Sequence, residues 1–407
     1  MYVKQKNHSK RLQNCIKMIS RKVLLTLITL ALLAACNLPT ATLPADHNTA
    51  VHQTAEAYIL QTLTSLPPSQ PSIAATSTAT SQPPAPSPTP TATLQPPTEL
   101  PTQPPTAAIT PMPQPTSTAT LELPSGTARE RITARMQTYG DLQAAYLSDA
   151  YWQQLEARLE CCGSAQDILT LEYHGDSYIM YDGKYSMNPQ AFRAQVEYLM
   201  QQDYHFATLH EVEGFVQGWL ALPSCSVILT TDVSDEHAAS LLSIASTFTD
   251  LEAQYGYSPH MIAFIWTGAM ESGVCWGGYC WEDLNEALET GYFTFGTHSY
   301  SHQDFGQITP AEQTEDLQRS ISDMQAEMGL TPYALAWPFE TCSAYPDTIS
   351  TLGITLAWGG VTKPMEQNFT SWLDPRPLCL PRMLPPNIEG ISMRPPGYTL
   401  QQMLEMP

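Results

Sequence analysis

Positive charge is scarce in this chain: 18 Lys and Arg stand against 39 Asp and Glu among 407 residues. Seven of the 18 (Lys4, Lys6, Lys10, Arg11, Lys17, Arg21 and Lys22) lie in the first 35 residues, which hold no Asp or Glu. From residue 36 onward, 11 basic residues face 39 acidic ones, a formal net charge of −28. Such a surface repels phosphate backbones and anionic headgroups, so nucleic acid is excluded as a partner and neutral or cationic polymers suit it better. Long apolar runs are missing too. Val23 to Ala35 is apolar apart from Thr26 and Thr29, well short of the roughly 20 residues that a membrane-spanning helix needs. Large apolar and charged residues are also nearly absent from 66–124, where Pro, Thr, Ser, Ala and Gln dominate. That composition excludes a packed core, because too little surface can be buried to offset the ordering entropy.

What is present organises the chain. A basic stretch, a short apolar run and small residues before Cys36 make an export signal over 1–35. Leu33-Ala34-Ala35-Cys36 resembles the bacterial lipoprotein signal, in which Cys36 is lipidated and becomes the mature N-terminus. An ordinary secretory peptide is the alternative, and a start at Met18 would give a more usual signal length. The expected product is an extracytoplasmic, membrane-anchored lipoprotein, its partners the membrane through that anchor and a polymer outside it, with the protein itself a monomer. A short segment (36–65) leads to a disordered Pro/Thr/Ser-rich linker (66–125), whose prolines favour an extended, semi-rigid stalk. A helical segment follows at 126–166, then one folded domain at 167–407.

In an exported chain, the seven cysteines other than Cys15 and Cys36 are disulfide candidates before they are metal ligands. Cys275 and Cys280 bracket Trp-Gly-Gly-Tyr, short enough for a closed loop, and Cys342 with Cys379 is a second candidate pair. The pairing of Cys161, Cys162 and Cys225 stays open.

Within the domain, apolar strand-like runs at 168–173, 226–231, 260–266, 292–297, 333–337 and 354–358 alternate with helical patterns. Asn188-Pro189 is an N-cap followed by an N1 proline, ahead of Phe192, Val196 and Leu199 on one face. Thr309-Pro310-Ala311-Glu312 is a capping box that opens a helix to about Met328. This alternation predicts an α/β fold with a parallel sheet, either a barrel or a doubly wound sheet.

Polar or special residues sit just past four of the strand candidates: His174, Asp232, the His298/His302 pair, and Pro338-Phe339. In a parallel barrel these ends share one face, where active sites are built. Two imidazoles four residues apart in one helical turn would point the same way and bind one cation, with a carboxylate as third ligand. The bland reading of the pair is two exposed loop histidines.

His298-Ser-Tyr-Ser-His302 after a Gly-Thr strand end resembles the metal-binding motif of polysaccharide deacetylases with a NodB-homology domain (carbohydrate esterase family four). Val227-Ile-Leu-Thr-Thr-Asp232, Ala334-Leu-Ala-Trp-Pro-Phe339 and Leu380-Pro-Arg-Met383 are similar to further family segments, the last to its biofilm-polysaccharide branch. Tyr173-His174 stands where that branch has its Tyr-His dipeptide. The resemblance covers roughly 168–384 and implies a distorted (β/α) barrel. It implies removal of acetyl groups from an N-acetylated polysaccharide with a divalent metal, zinc first and cobalt, nickel or iron as alternatives. His298 and His302 would hold the metal, Asp232 would take a proton from water, and His174, titrating near pH 7, would protonate the leaving amine. Arg382 would orient Asp232, and Trp337, Pro338 and Phe339 would meet the sugar, with Trp266, Trp276, Trp281 and Trp358 as other stacking candidates.

The chain departs from the pattern at Val233, where the family has a metal-binding Asp. Asp235 is the displaced candidate ligand, or Asp232 itself takes the metal. Glu340 replaces a glycine of the pattern and is either a compensating acid or an exposed loop residue. These departures keep a second reading open, a degenerate polysaccharide-binding lipoprotein; an O-acetyl esterase is a third.

Overall fold

The computed structural model describes residues 126–141, 143, 146, 148–179, 186–234, 237–271, 280–360, 369–385 and 399–406. The expected signal, Cys36 and the linker lie outside the described residues, as do Asp235, Cys275 and Trp276. No helix among the described residues is long and apolar enough to cross a membrane.

Two capped helices come first. Thr127 and Glu130 form a capping box on α1 (Ala128–Tyr139), and Ser148 caps α2 (Asp149–Cys162). β1 (Asp167–Tyr173) precedes a short hairpin of β2 (Tyr178–Ile179) and β3 (Ser186–Met187), then α3 (Pro189–Gln201), β4 (His205–Phe206) and α4 (Leu209–Val216). Strands and helices then alternate: β5 (Ser226–Val233), α5 (Ala238–Tyr255), β6 (Met261–Ile265), α6 (Thr267–Glu271), α7 (Cys280–Glu289), β7 (Phe293–Thr297), α8 (Pro310–Met328) and β8 (Ala334–Ala336). After a 3-10 turn (Pro338–Glu340) come α9 (Pro346–Ser350), β9 (Leu356–Gly359), β10 (Thr370–Ser371), β11 (Leu380–Pro381) and α10 (Leu400–Leu404). The expected caps Asn188 and Thr309 open α3 and α8. Every residue of β5, β6 and β7 is buried, which is why these segments read as near-continuous apolar runs.

The main sheet runs β10-β1-β5-β6-β7-β8-β9-β11, parallel throughout except where β10 joins β1. Its two ends meet. Glu172 N donates to Met383 O at 2.9 Å and Met383 N to Thr170 O at 3.0 Å, so the residues after β11 pair with β1 and close the ring. The fold is therefore a barrel rather than a doubly wound sheet, and the carboxyl ends of its strands share one mouth.

The helices at 126–166 are packed into the same core. Ile132, Met136, Tyr139, Tyr146 and Leu155 belong to the buried cluster that fills the barrel. β7 pairs with β8 only at Thr297 and Leu335. Below that point the Tyr139 hydroxyl donates to Phe295 O and accepts from Phe295 N, while Gln143 Nε2 donates to Phe293 O. Side chains from outside the barrel thus satisfy strand groups that lack a strand neighbour there.

Cys342 pairs with Cys379, the second candidate pair, and Cys162 pairs with Cys225. Cys280 and Cys161 are each disulfide-bonded as well.

Tyr139→Phe keeps the ring but orphans a buried amide and a buried carbonyl. It should lower unfolding free energy by about 2–4 kcal/mol, read from urea denaturation against wild type. A loss within error would show that the hydroxyl does not complete the β7 edge.

Candidate active site

The innermost pair at the mouth is Asp232 with Arg382. Asp232 is the last residue but one of β5, and Arg382 follows β11 with its amide bonded to Gly359 O. The Arg382 side chain is 1 % exposed. Its Nη1 lies 2.5 Å from Asp232 Oδ1 and its Nη2 3.0 Å from Oδ2, a bidentate grip. Nη2 is also 3.3 Å from Oε1 of buried Glu172 on β1. Burial by itself would raise the Asp232 pKa, but Arg382 and then His298 outweigh it and hold the carboxyl well below the usual range.

His174, directly after β1, has Nε2 3.8 Å from Asp232 Oδ2. Burial lowers its pKa to about 4, with Asp232 pulling the other way and Arg382, His298 and His237 adding to the drop. The expectation that this ring titrates near pH 7 is thereby corrected: it is neutral at that pH, because burial next to a guanidinium disfavours a second cation.

His298 Nε2 lies 3.5 Å from the same Oδ2, and Nδ1 lies 2.8 Å from Ala336 O. A carbonyl only accepts, so Nδ1 carries the proton and Nε2 presents its lone pair. Burial lowers the His298 pKa. The His302 ring is centred 4.8 Å from that of His298, and burial followed by His298 pushes its pKa to about 4. The two imidazoles do converge, but not through the expected helical turn. Ser299 has φ +71° and His302 φ +54°, so the segment is a looped reversal whose left-handed residues bring the rings together. Trp266 and Phe339 flank His302, with ring centres at 4.6 and 4.9 Å.

The sugar-facing expectation needs correction. Trp337 is 1 % exposed, donates Nε1–H to Leu378 O at 2.9 Å and packs edge-on to Phe305. Pro338 is buried, and so is Trp358. These rings fill the core because β8 and β9 need large apolar side chains beneath the mouth. Phe339, by contrast, is 63 % exposed and adopts φ +54°. Glu340 follows at φ +58° and lies over Gly360, where an added Cβ would come within 2.0 Å of its carboxylate. Glu172 went unnoticed in the sequence; inside an apolar strand run it carries no motif, and only ring closure shows its partner.

A divalent cation fits one edge of this cluster. Among the described residues, Glu172, His174 and Asp232 each offer a ligand atom within 4.8 Å of the others. Both of those carboxylates already face Arg382, whose charge repels a second cation there. At the His298 edge, a lone-pair nitrogen and a carboxylate oxygen sit 3.5 Å apart, an acceptor–acceptor contact that a cation would relieve. His298 also has the anchored Nδ1–H typical of ligating histidines. Val233, 1 % exposed, has no donor atom, so it cannot supply the carboxylate that the pattern places at that position.

Residues 245–357 match the family model described as Polysaccharide deacetylase. The match spans the His298–His302 loop and Phe339, while His174, Asp232 and Arg382 lie outside it. No curated protein matches the chain. Among solved structures, IcaB from Ammonifex degensii is 20 % identical, with TM-score 0.42 over 54 % of this chain and 92 % of its own. The Streptococcus pyogenes deacetylase PplD in complex with acetate is 18 % identical (TM-score 0.42, 54 % and 92 %). The BpsB deacetylase domain from Bordetella bronchiseptica is 14 % identical (TM-score 0.41, 54 % and 96 %). The family match agrees with the resemblance carried by the His298–His302 motif.

Arg382→Met should destabilise the protein by roughly 3–5 kcal/mol at pH 7, because the buried Asp232 charge loses its partner. The depressed Asp232 pKa means that the pair's stabilisation is full above the ordinary carboxylate range, about pH 4, and fades as pH falls toward the depressed value. The gap between variant and wild type should therefore narrow from pH 7 to pH 3 in denaturant titrations. A gap independent of pH would contradict the pairing.

Proposed function

Because residues 245–357 match the polysaccharide deacetylase family model, we propose that the chain hydrolyses N-acetyl groups on an extracellular or cell-wall polysaccharide with a divalent metal at His298 and His302. The observation that carries this reading is the meeting of His174 and His298 on one oxygen of Asp232, at 3.8 and 3.5 Å, with the ring of His302 beside them.

A cation bound at this pair, zinc in our reading, would polarise the acetamide carbonyl. The chain's own residues handle the proton. Water adds to the carbonyl carbon and gives its proton to Asp232 Oδ2, which Arg382 keeps ionised and oriented. His174 is neutral at rest, so it does not arrive as an acid; its Nε2 receives that proton from Oδ2 and delivers it to the departing nitrogen. The C–N bond breaks to leave acetic acid and a free amine, and the acid passes its remaining proton to the amine or to solvent as acetate leaves. Asp232 ends ionised and His174 neutral, as they began. Phe339 offers the exposed ring on which a sugar face would stack.

The disulfides Cys162–Cys225 and Cys342–Cys379 suit an oxidising compartment. With the signal pattern, they support export, lipid anchoring at Cys36 and action outside the membrane. We count the domain from about residue 126, because α1 and α2 share its core. Val233 favours a second reading, a polymer-binding protein that has lost catalysis.

The full chain supplied with zinc should release acetate from N-acetylglucosamine oligomers, and chelation should abolish the release. His174→Ala should lower kcat by about 10²–10⁴-fold. No acetate with zinc, cobalt or nickel would sink the hydrolase and leave the binding protein. Should Val233→Asp then create metal binding that the native chain lacks, the degenerate reading stands.

A further inference from the structure

Asp316 lies on α8, outside every motif considered above, and is 8 % exposed. Its Oδ1 accepts from Tyr300 N and its Oδ2 from Ser301 N, both at 2.8 Å. Those are two of the three residues between the imidazole-bearing positions. One turn further along the helix, Ser320 Oγ bonds to Thr297 Oγ1 at 2.5 Å, so one face of α8 grips both the entry and the middle of the loop.

The loop needs holding. Left-handed backbone at a residue with a side chain costs on the order of 1–3 kcal/mol and persists only where the surroundings over-determine it. Here Ser299 and His302 are both left-handed. Local bonds secure the ends: Ser299 N donates to Thr297 Oγ1 and His302 N to Ser299 Oγ, each at 3.0 Å. On the far side, Tyr300 O presses so closely on Gly268 that an added Cβ would meet it at 2.1 Å. The Tyr300 and Ser301 amides take neither a strand nor a helix partner; one carboxylate takes both. Among the described residues no basic side chain pairs with Asp316, so its charge is spent on the loop alone.

We propose that Asp316 is a positioning residue for cation binding: by clamping the two amides between His298 and His302, it fixes the separation and facing of the imidazoles. This rests on the reading of that pair as the cation site. A mere fold-stabilising cap would affect melting but not the metal.

The test is a zinc titration of the full, metal-stripped chain, comparing wild type with Asp316→Asn, Asp316→Ala and, as a surface control, Glu315→Gln. Asparagine keeps the shape but turns an NH2 toward one amide, so zinc affinity should fall about 10-fold, and up to about 100-fold for alanine. The control should match wild type. With zinc saturating, KM for the oligomer should stay near wild type, since Asp316 does not touch substrate. If Asp316→Ala does not fold, the asparagine variant decides. Wild-type zinc affinity in a folded Asp316→Asn, with only its melting temperature lowered, overturns the role of Asp316. A wild-type chain that binds no zinc instead overturns the cation-site reading and this inference with it.

Discussion

The buried contact between Arg382 and Asp232 organises the mouth of this barrel. Arg382 stands between Pro381, the end of the last barrel strand, and Met383, which pairs with β1. The backbone step that closes the ring is thus the one that delivers the guanidinium. Removing two charges from water is expensive, and apolar residues of similar size often stabilise as well or better. The pair therefore makes most sense as a device for the mouth rather than for the fold. It keeps a carboxylate ionised in a dry place and fixes its plane, leaving Oδ2 facing two imidazoles.

The electrostatics of the remaining groups follow. Burial first, and the nearby guanidinium after it, disfavour additional positive charge, so His174 and His298 are both held below the ordinary imidazole range and favour the neutral form. Neutral imidazoles are the form that binds metals and accepts protons. In the proposed reaction the strands divide the labour: β1 would supply the ring that moves a proton, β5 the carboxylate between, and β7 with its looped continuation the rings that would hold a cation. The disulfide Cys342–Cys379 ties the turn bearing Phe339 and Glu340 to the approach of β11.

The opposite end of the barrel is also polar but chemically closed. Tyr333 bonds to His210 Nδ1 at 2.6 Å, His205 Nε2 to Glu211 at 3.0 Å, and Tyr139 to the β7 backbone. Burial lowers His210 and His260 to about 3, so both stay uncharged across the physiological range. Most of these groups are spent on partners within the core, and α1 seals that end. The mouth differs in having left-handed, exposed and paired elements gathered around open lone pairs.

The six principal strands and the capped helices α3 and α8 were legible because their determinants are local: unbroken apolar runs, N-caps and N1 prolines. His298, His302, Asp232, His174 and Arg382 could be named from short motifs for the same reason, since each stands at a fixed offset from a strand end. Three-dimensional packing decided the rest. Burial of Trp337, the neutral state of His174, the partnership of Glu172 with Arg382 and the grip of Asp316 depend on residues far apart in the chain. So does the docking of α1 onto β7. Burial and electrostatic shifts are set by what surrounds a side chain, and ring closure brings those surroundings together across more than one strand. A linear pattern carries the period of a strand and the cap of a helix, but not the dielectric or the neighbour across a closed sheet.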